Sequence, residues 1–315
     1  MRISGFTMGK NAHKLYYPMK QAVLSVLPIV DEFIVVLGDD DPDDQTRTEV
    51  ESIGSDKVKV HQTTWDIEKY PRGMEHAHQT DIAKELCSGD WLLYLQADEV
   101  IHEDDLPVIE RRCQELLDDR EVEGLLFDYL HFWGDYQHFH WSHGWYKNEI
   151  RIVRNDPEIH SWQSAQSFRR IPDFDGLDYR RKEGTHKLKV ARANARIFHY
   201  GWVRPPDRMK RKTKTFMTNH KGVAAVAEME RKNLFAFDYG PLDKLRRFEE
   251  SHPAVMKEWI ARFDWADQLQ QTGPRRRDRP PAKHEQLRYR LITLLENHVF
   301  GRPLFEFENF VLLDR

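Results

Sequence analysis

Gly89-Asp90-Trp91-Leu92-Leu93-Tyr94-Leu95-Gln96-Ala97-Asp98-Glu99-Val100-Ile101-His102-Glu103 is the stretch on which the fold turns. Trp91 to Leu95 is an unbroken apolar and aromatic run, the pattern of a strand covered on both faces. It ends in two adjacent carboxylates, Asp98 and Glu99. Open α/β sheets place ligands at the C-terminal ends of their strands. A carboxylate pair there can hold a divalent cation and, through it, a phosphate. The plainer reading is that both acids cap a following helix, since Asp is favoured near helix N-termini.

Upstream, Arg2 to Thr7 reads as a first strand, followed by a polar loop from Gly9 to Lys14. Pro18 suits the first turn of a helix running to about Leu27. Phe33 to Leu37 reads as a second buried strand and ends in the acidic loop Gly38-Asp39-Asp40-Asp41-Pro42-Asp43-Asp44. Thr46-Arg47-Thr48-Glu49 has the capping-box pattern, so a helix starts near Thr46. Lys57 to His61 alternates as a third strand would, and Arg72 to Cys87 reads as a helix. Strand and helix alternating over short connections predict an α/β fold with a largely parallel, Rossmann-like sheet and right-handed crossovers. Neither Gly-x-Gly-x-x-Gly nor Gly-x-x-x-x-Gly-Lys-[Ser/Thr] is present, which disfavours a dinucleotide fold and a P-loop.

Downstream, a helix is expected to Leu117, then strands at Gly124–Phe132, Glu149–Arg154 and Ala195–Trp202. Residues 155–185 carry mixed turn signals and give no assignment. Pro205-Pro206 ends the last strand, and a basic helix follows with Arg208, Lys210, Arg211, Lys212 and Lys214. Beyond Lys221 the stretches Ala224–Lys232, Pro241–Glu250, Pro253–Phe263 and His284–His298 look helical. Gly273 to Pro281 reads as an exposed linker. The expected organisation is therefore a domain over 1–222 and a helical C-terminal extension over 223–315.

The 315 residues are 40% apolar and 12% aromatic, enough for a sizeable core. A net charge of −4 gives no argument for nucleic acid. Cys87 and Cys113 suit reduced, buried thiols in a cytoplasmic protein. No signal peptide and no transmembrane helix is expected, while peripheral attachment to a membrane and self-association are left open. His76-x-His78 and His138-x-His140 lack the third ligand that a zinc site needs.

Several elements together resemble the family 2 glycosyltransferases of GT-A fold. They are Asn11 with Lys14 and Tyr17-Pro18; Val30-Asp31-Glu32-Phe33-Ile34-Val35-Val36; the acidic loop to Asp44-Gln45-Thr46; and Gly89-Asp90-Trp91 through Gln96-Ala97-Asp98-Glu99. The last is similar to an Asp-x-Asp-type motif with Gln96 in place of its first carboxylate. The resemblance is specific over roughly residues 1 to 105. It is weaker through Arg196-Ile197-Phe198-His199-Tyr200-Gly201-Trp202, which is similar to a late His element of such enzymes.

The resemblance implies a GT-A sheet, a nucleoside-diphosphate sugar as donor and a divalent cation, Mn²⁺ or Mg²⁺. On it, Asp98 and His199 are the expected metal ligands. Thr7, Asn11, Asp39, Gln79, Gln96, Ala97 and Arg204 are the expected donor contacts. The acceptor would be a glycan or a lipid-linked saccharide. An inverting transfer needs a general base; Glu149, which follows the aromatic stretch His131–Trp145, comes first, with Glu183 and Asp128 as alternatives.

Each candidate has a plainer role. Asp43 and Asp44 suit a turn and a cap. His199 could be a hydrogen-bonded core residue, the basic segment Arg204–Lys214 a solvated helix face, and the aromatic stretch either a sugar platform or packing. Two rivals stand beside transfer: a sugar-phosphate nucleotidyltransferase, and a non-catalytic carbohydrate-binding protein on a decayed transferase fold.

Overall fold

The computed structural model describes residues 1–232, 237–275, 281–300, 304 and 307–315. Its N-terminal half alternates strand and helix: β1 (Ile3–Gly9), α1 (Met19–Val26), β2 (Glu32–Leu37), α2 (Thr46–Glu51), β3 (Val58–Gln62), α3 (Met74–Glu85) and β4 (Trp91–Tyr94). β5 (Glu99–Ile101), α4 (Leu106–Glu115), β6 (Gly124–Trp133), β7 (His138–His140) and β8 (Asn148–Arg154) follow. Then come β9 (Ile159–Trp162), β10 (Ser167–Arg170), β11 (Leu188–Trp202), α5 (Pro206–Lys221) and α6 (Val223–Arg231). The last elements are β12 (Arg246–Arg247), α7 (Lys257–Ile260), α8 (Leu287–Leu295) and β13 (Phe310–Leu312).

One mixed sheet organises the chain, in the order β12-β7-β6-β8-β4-β1-β2-β3, with β11 beside β6. β3, β2, β1 and β4 are mutually parallel, so the C-terminal ends of β1, β2 and β4 share one edge. β8 runs antiparallel between β4 and β6. The strands β1, β2 and β4 are buried throughout because helices cover both faces. Val23, Val26, Phe33, Val35, Leu93, Ile109 and Ile152 pack on one face. Phe6, Ile34, Ala83, Leu92, Tyr94 and Phe168 pack on the other.

The acids that end the opening stretch do not cap a helix. Glu99 begins β5, whose three residues pair antiparallel with β11, Glu99 opposite His199. That rung brings the late His element to the carboxyl edge of the parallel strands. The unassigned region 155–185 holds the β9–β10 hairpin.

The C-terminal region contains helices but departs from the expected pattern. Pro241–Glu250 is a short 3₁₀ turn followed by β12, and Pro253–Phe263 forms only a 3₁₀ turn and α7. β12 pairs with β7, and β13 runs parallel to the start of β11. Trp259, Trp265 and Leu269 share a core with Phe132, Trp133, Phe139 and Tyr200. Side-chain packing against a sheet end, rather than helical periodicity, set those apolar positions. Of the expected linker, residues 276–280 lie outside the described set. No described helix is long and apolar enough to cross a membrane.

Candidate active site

Four loops meet at the carboxyl edge of β1, β2 and β4. The β1–α1 loop and the acidic β2–α2 loop are bolted together. Asn11 accepts from the Asp41 N–H at 2.7 Å and donates its own N–H to Asp40, in a left-handed conformation with φ 54°. His13 N–H donates to Thr46 Oγ1 at 2.9 Å, and Lys14 N–H to Asp44 at 2.9 Å. Asn11 thus acts on the loop rather than pointing a free amide at a ligand, and Asp44 takes the turn role expected of it. Asp39 is exposed on the rim, where it pairs with Lys10 at 2.7 Å and accepts from Trp65 N–H at 2.9 Å. β1 lies between β2 and β4, so the Asp39 and Asp98 edges are separated by two strand spacings, roughly 10 Å.

Asp98 is buried and faces basic side chains contributed from late in the chain. Its Oδ2 lies 3.3 Å from Lys212 Nζ, 3.7 Å from His199 Nε2 and 4.0 Å from Arg204 Nη2. Burial disfavours the charged carboxylate, but the cations of Lys212 and then Arg204 outweigh it and hold its pKa below the ordinary value. Lys212 Nζ also donates to the Gly201 carbonyl at 2.6 Å and sits over the Tyr17 ring at 5.1 Å. Burial and the adjacent Arg204 push Lys212 down to about 7, against the pull of Asp98. Gly201 has to be glycine here, because a Cβ would come within 2.5 Å of His199 Nε2 and 2.6 Å of Asp98 Oδ2.

Hydrogen bonding fixes what His199 presents. His131 Nε2 lies 2.8 Å from the Tyr146 carbonyl oxygen, so that nitrogen carries the proton. Burial, then His199, lowers the His131 pKa well below its ordinary value, and burial lowers that of His199. Both rings are therefore neutral near pH 7. His131 Nδ1 then accepts, and His199 Nδ1 donates to it across 2.8 Å. The His199 Nε2 lone pair is left facing the Asp98 carboxylate. Two acceptors turned toward each other suit a shared cation, and a histidine whose other N–H is held by a relay is the usual arrangement of a ligand.

The donor set thus fits a divalent cation as a half-site, with Asp98 and His199 as protein ligands. No group of three or more His, Cys, Asp or Glu side chains disposed for a metal occurs among the described residues. A cation there would draw its remaining ligands from phosphate oxygens and water, as Mg²⁺ commonly does. In this structure the Lys212 ammonium neutralises the carboxylate.

Arg204 is fully buried, with Cζ 4.5 Å above the Tyr17 ring and Nη1 donating to the Leu15 carbonyl. Its Nε and Nη2 have no hydrogen-bond acceptor among the described residues. Buried guanidinium N–H groups without acceptors are costly unless a ligand takes them.

Glu99 and Arg151 organise the floor. The Arg151 guanidinium grips Glu99 with two bonds of 2.7 and 2.8 Å, both side chains fully buried, and the Tyr129 hydroxyl donates to Glu99 at 2.8 Å. Arg151 falls where the β6–β8 register shifts, and a bulge of this kind re-aims a side chain. Glu149 lies two residues away, half-buried. Burial pushes its carboxyl up to about 7, with Arg151 opposing and Glu99 reinforcing the shift.

The remaining expected residues are placed as follows. Gln96 Nε2 donates to the Ala165 carbonyl at 2.9 Å, and Ala97 is half-buried beside Asp98. Thr7 Oγ1 is buried with no partner among the described residues. Gln79 binds Glu75 at 2.7 Å and Thr63 at 2.7 Å, so its amide is spent within the fold. Asp128 is exposed and pairs with Asn148 and Arg192, outside the Asp98 cluster. Glu183 is exposed in the turn before β11. The start of β11 is eleven residues before His199, roughly 35 Å along the strand. Neither acid contacts the Asp98 cluster, whereas Glu149 adjoins the buried floor two residues from Arg151.

The aromatic stretch resolves mainly as packing. Phe132, Trp133, Tyr136 and Phe139 are buried, and His140 stacks on Trp145 at 4.2 Å. His131, Arg151 and Tyr17 were not singled out as site residues from the sequence. Lys212 was visible only as one cation of a basic helix.

No family model and no curated protein matches the chain. Solved structures of glucosyl-3-phosphoglycerate synthase from Mycobacterium tuberculosis are similar to part of it. One, in complex with Mn²⁺, UDP and phosphoglyceric acid, is 18% identical over 41% of this chain and 42% of its own, with a TM-score of 0.28. A second, with Mg²⁺ and UDP, is 18% identical over 41% and 43%, also at 0.28. A third, with Mn²⁺, UDP and glucosyl-3-phosphoglycerate, covers 42% and 45% at 0.29. The match spans less than half the length of those chains, and a likeness of that extent carries no argument about activity or ligand.

Proposed function

We propose that the protein is a glycosyltransferase that moves a sugar from a nucleoside diphosphate to an acceptor hydroxyl with inversion. The observation that carries this reading is the buried Asp98 opposed by Lys212 and the His199 lone pair, beside Arg204 N–H groups that lack acceptors. Such a cluster, at the carboxyl edge of parallel strands, suits a diphosphate.

In the reaction the acceptor oxygen attacks the anomeric carbon. The bond from that carbon to the diphosphate oxygen breaks, and the nucleoside diphosphate leaves with the electron pair. Glu149, with a pKa near the working pH, takes the proton of the acceptor hydroxyl. Arg204 and Lys212 meet the negative charge that grows on the leaving diphosphate. Arg151, through Glu99, keeps the floor rigid. When bound, a divalent cation held by Asp98 and His199 would neutralise further charge on the diphosphate. Asp39, on the rim of the same edge, would accept from a ribose hydroxyl or base N–H beside its contacts to Lys10 and Trp65.

Calorimetric titration with UDP-, GDP- and dTDP-sugars, with and without Mn²⁺, tests the reading. Binding of one donor class is expected, weakened by Asp98→Asn in its Mn²⁺-dependent part. Absence of binding to every donor under both conditions refutes it.

A further inference from the structure

Helix α8 wears its apolar side outward. Leu287, Leu291, Leu294 and Val299 are 70%, 52%, 55% and 65% exposed, and Leu295 and Phe300 are exposed as well. Positions 287, 291, 294 and 295 fall within one stripe at 100° per residue, and the wide turn Glu296–Phe300 carries the apolar surface onward. Arg288 and Arg290, both exposed, flank the stripe on opposite sides.

The polar side of the helix faces the protein. Thr293 Oγ1 accepts from His143 N–H at 2.9 Å, and buried Glu296 pairs with His143 at 2.8 Å and Lys147 at 3.5 Å. Asn297 accepts from Trp141 Nε1 at 2.8 Å. A surface helix of a soluble domain ordinarily does the reverse. The polar contacts hold α8 in this orientation, so the leucine face is not a loosely placed core helix.

We infer that α8 docks the protein on the surface of an anionic lipid bilayer. The leucines, Val299 and Phe300 enter the boundary between headgroups and acyl chains, with the helix axis in the membrane plane. Arg288 and Arg290 reach sideways from the edges of the stripe to lipid phosphates. In the sequence, residues 275–286 carry four Arg and one Lys against Asp278 and Glu285, a net positive charge that favours anionic over neutral lipid. Cations on both edges of an apolar stripe match lipid phosphates on both sides of a helix lying in the headgroup plane, so the charge pattern favours lipid over a second copy of the chain. The segment that anchors α8, Trp141 to Lys147, includes Tyr146, whose carbonyl holds His131. Docking would therefore bring the candidate site to the membrane surface, where a lipid-linked acceptor is found. That last step rests on the proposed transfer; the docking itself does not.

Flotation of the full chain with vesicles tests docking without using activity. Vesicles of phosphatidylcholine mixed with phosphatidylglycerol are compared with phosphatidylcholine alone, at low and high salt. The protein is expected to float with the anionic vesicles, less so at high salt. The double variant Leu291→Asn, Leu294→Asn should bind about tenfold more weakly, with an unchanged thermal transition because both positions are exposed. Arg288→Gln with Arg290→Gln should lose the preference for anionic lipid. Equal flotation of wild type and the leucine variant, or none by either, overturns the inference. So does a concentration-dependent dimer in sedimentation that the leucine variant abolishes, because the face would then be an interface between copies.

Discussion

His131 Nδ1 and His199 Nδ1 lie 2.8 Å apart, one accepting and the other donating, and this contact decides which nitrogen His199 turns toward Asp98. A ring that kept its proton on Nε2 would repel any cation at the Asp98 carboxylate. The relay from the Tyr146 carbonyl through His131 prevents that tautomer.

Replacing His131 by Phe removes the acceptor and leaves the His199 Nδ1–H buried alone. The cost to stability is expected at about 1–3 kcal/mol. Mn²⁺ affinity in the presence of UDP should fall by about 10–100-fold, as for other partners that orient a ligand. Denaturant unfolding and calorimetry read the two effects separately. Unchanged Mn²⁺ binding would remove His131 from the site.

Lys212 and a divalent cation compete for one carboxylate oxygen. Lys212→Met should tighten Mn²⁺ binding to the nucleotide-free protein by about tenfold, or 1.4 kcal/mol. The same variant should bind UDP less well without metal, since a cation near the diphosphate is lost. An identical Mn²⁺ titration for variant and wild type would show that the two never share the oxygen.

The Glu149 carboxyl, raised to about 7, predicts a rate that climbs with pH through that value as the base loses its proton. Glu149→Gln should abolish this limb and lower kcat/KM by about 10²–10⁴-fold, with UDP affinity retained. Stability carries the opposite sign. The folded protein holds this proton more tightly than the unfolded chain, so stability falls as pH rises from about 4.5 to about 7. That slope should flatten in the variant, and a profile indifferent to position 149 would exclude it as the base.

Breaking the Glu99–Arg151 pair from one side strands a charge in the core. Arg151→Met alone should cost about 3–5 kcal/mol, whereas Arg151→Met with Glu99→Leu should recover much of that loss. Urea unfolding of both variants provides the comparison. If the double variant is no more stable than the single, the pair contributes more than charge balance.

Gly201→Ala puts a methyl group where Asp98 Oδ2 and His199 Nε2 face each other, 2.6 and 2.5 Å from the new carbon. Mn²⁺-dependent donor binding should be lost. Metal-independent binding through Arg204 should persist. A variant that keeps full Mn²⁺ dependence would place the cation elsewhere.

The parallel half of the sheet was legible because its strands are long apolar runs bounded by Gly, Pro and acidic loops. Trp91–Leu95 and Phe33–Leu37 needed no tertiary information. β5 was not legible: Glu99-Val100-Ile101 is too short to show a period, and the helical turn that starts at Glu103 follows it almost at once. Asp98 and His199 could be named, but not the cations around them. Lys212 and Arg204 meet Asp98 only through the chain reversal after β11. Arg151 depends on a register shift that leaves no mark in hydrophobic alternation. That Glu183 and Asp128 are exposed and make no contact with Asp98 was not legible, because acid type and position along the chain say nothing about which end or face of a strand a carboxylate occupies.

The rung between Glu99 and His199 also bears on how the chain folds. It closes a loop of about a hundred residues, and such closure is slow and entropically costly. Until it forms, Asp98 has none of its late partners, so a partly folded chain that buried this carboxylate would pay for an isolated charge. The charge therefore penalises intermediates in which the parallel half has collapsed but β11 and α5 have not docked. The cations that neutralise Asp98 in the native protein thus also favour docking of β11 and α5 together with the parallel half of the sheet.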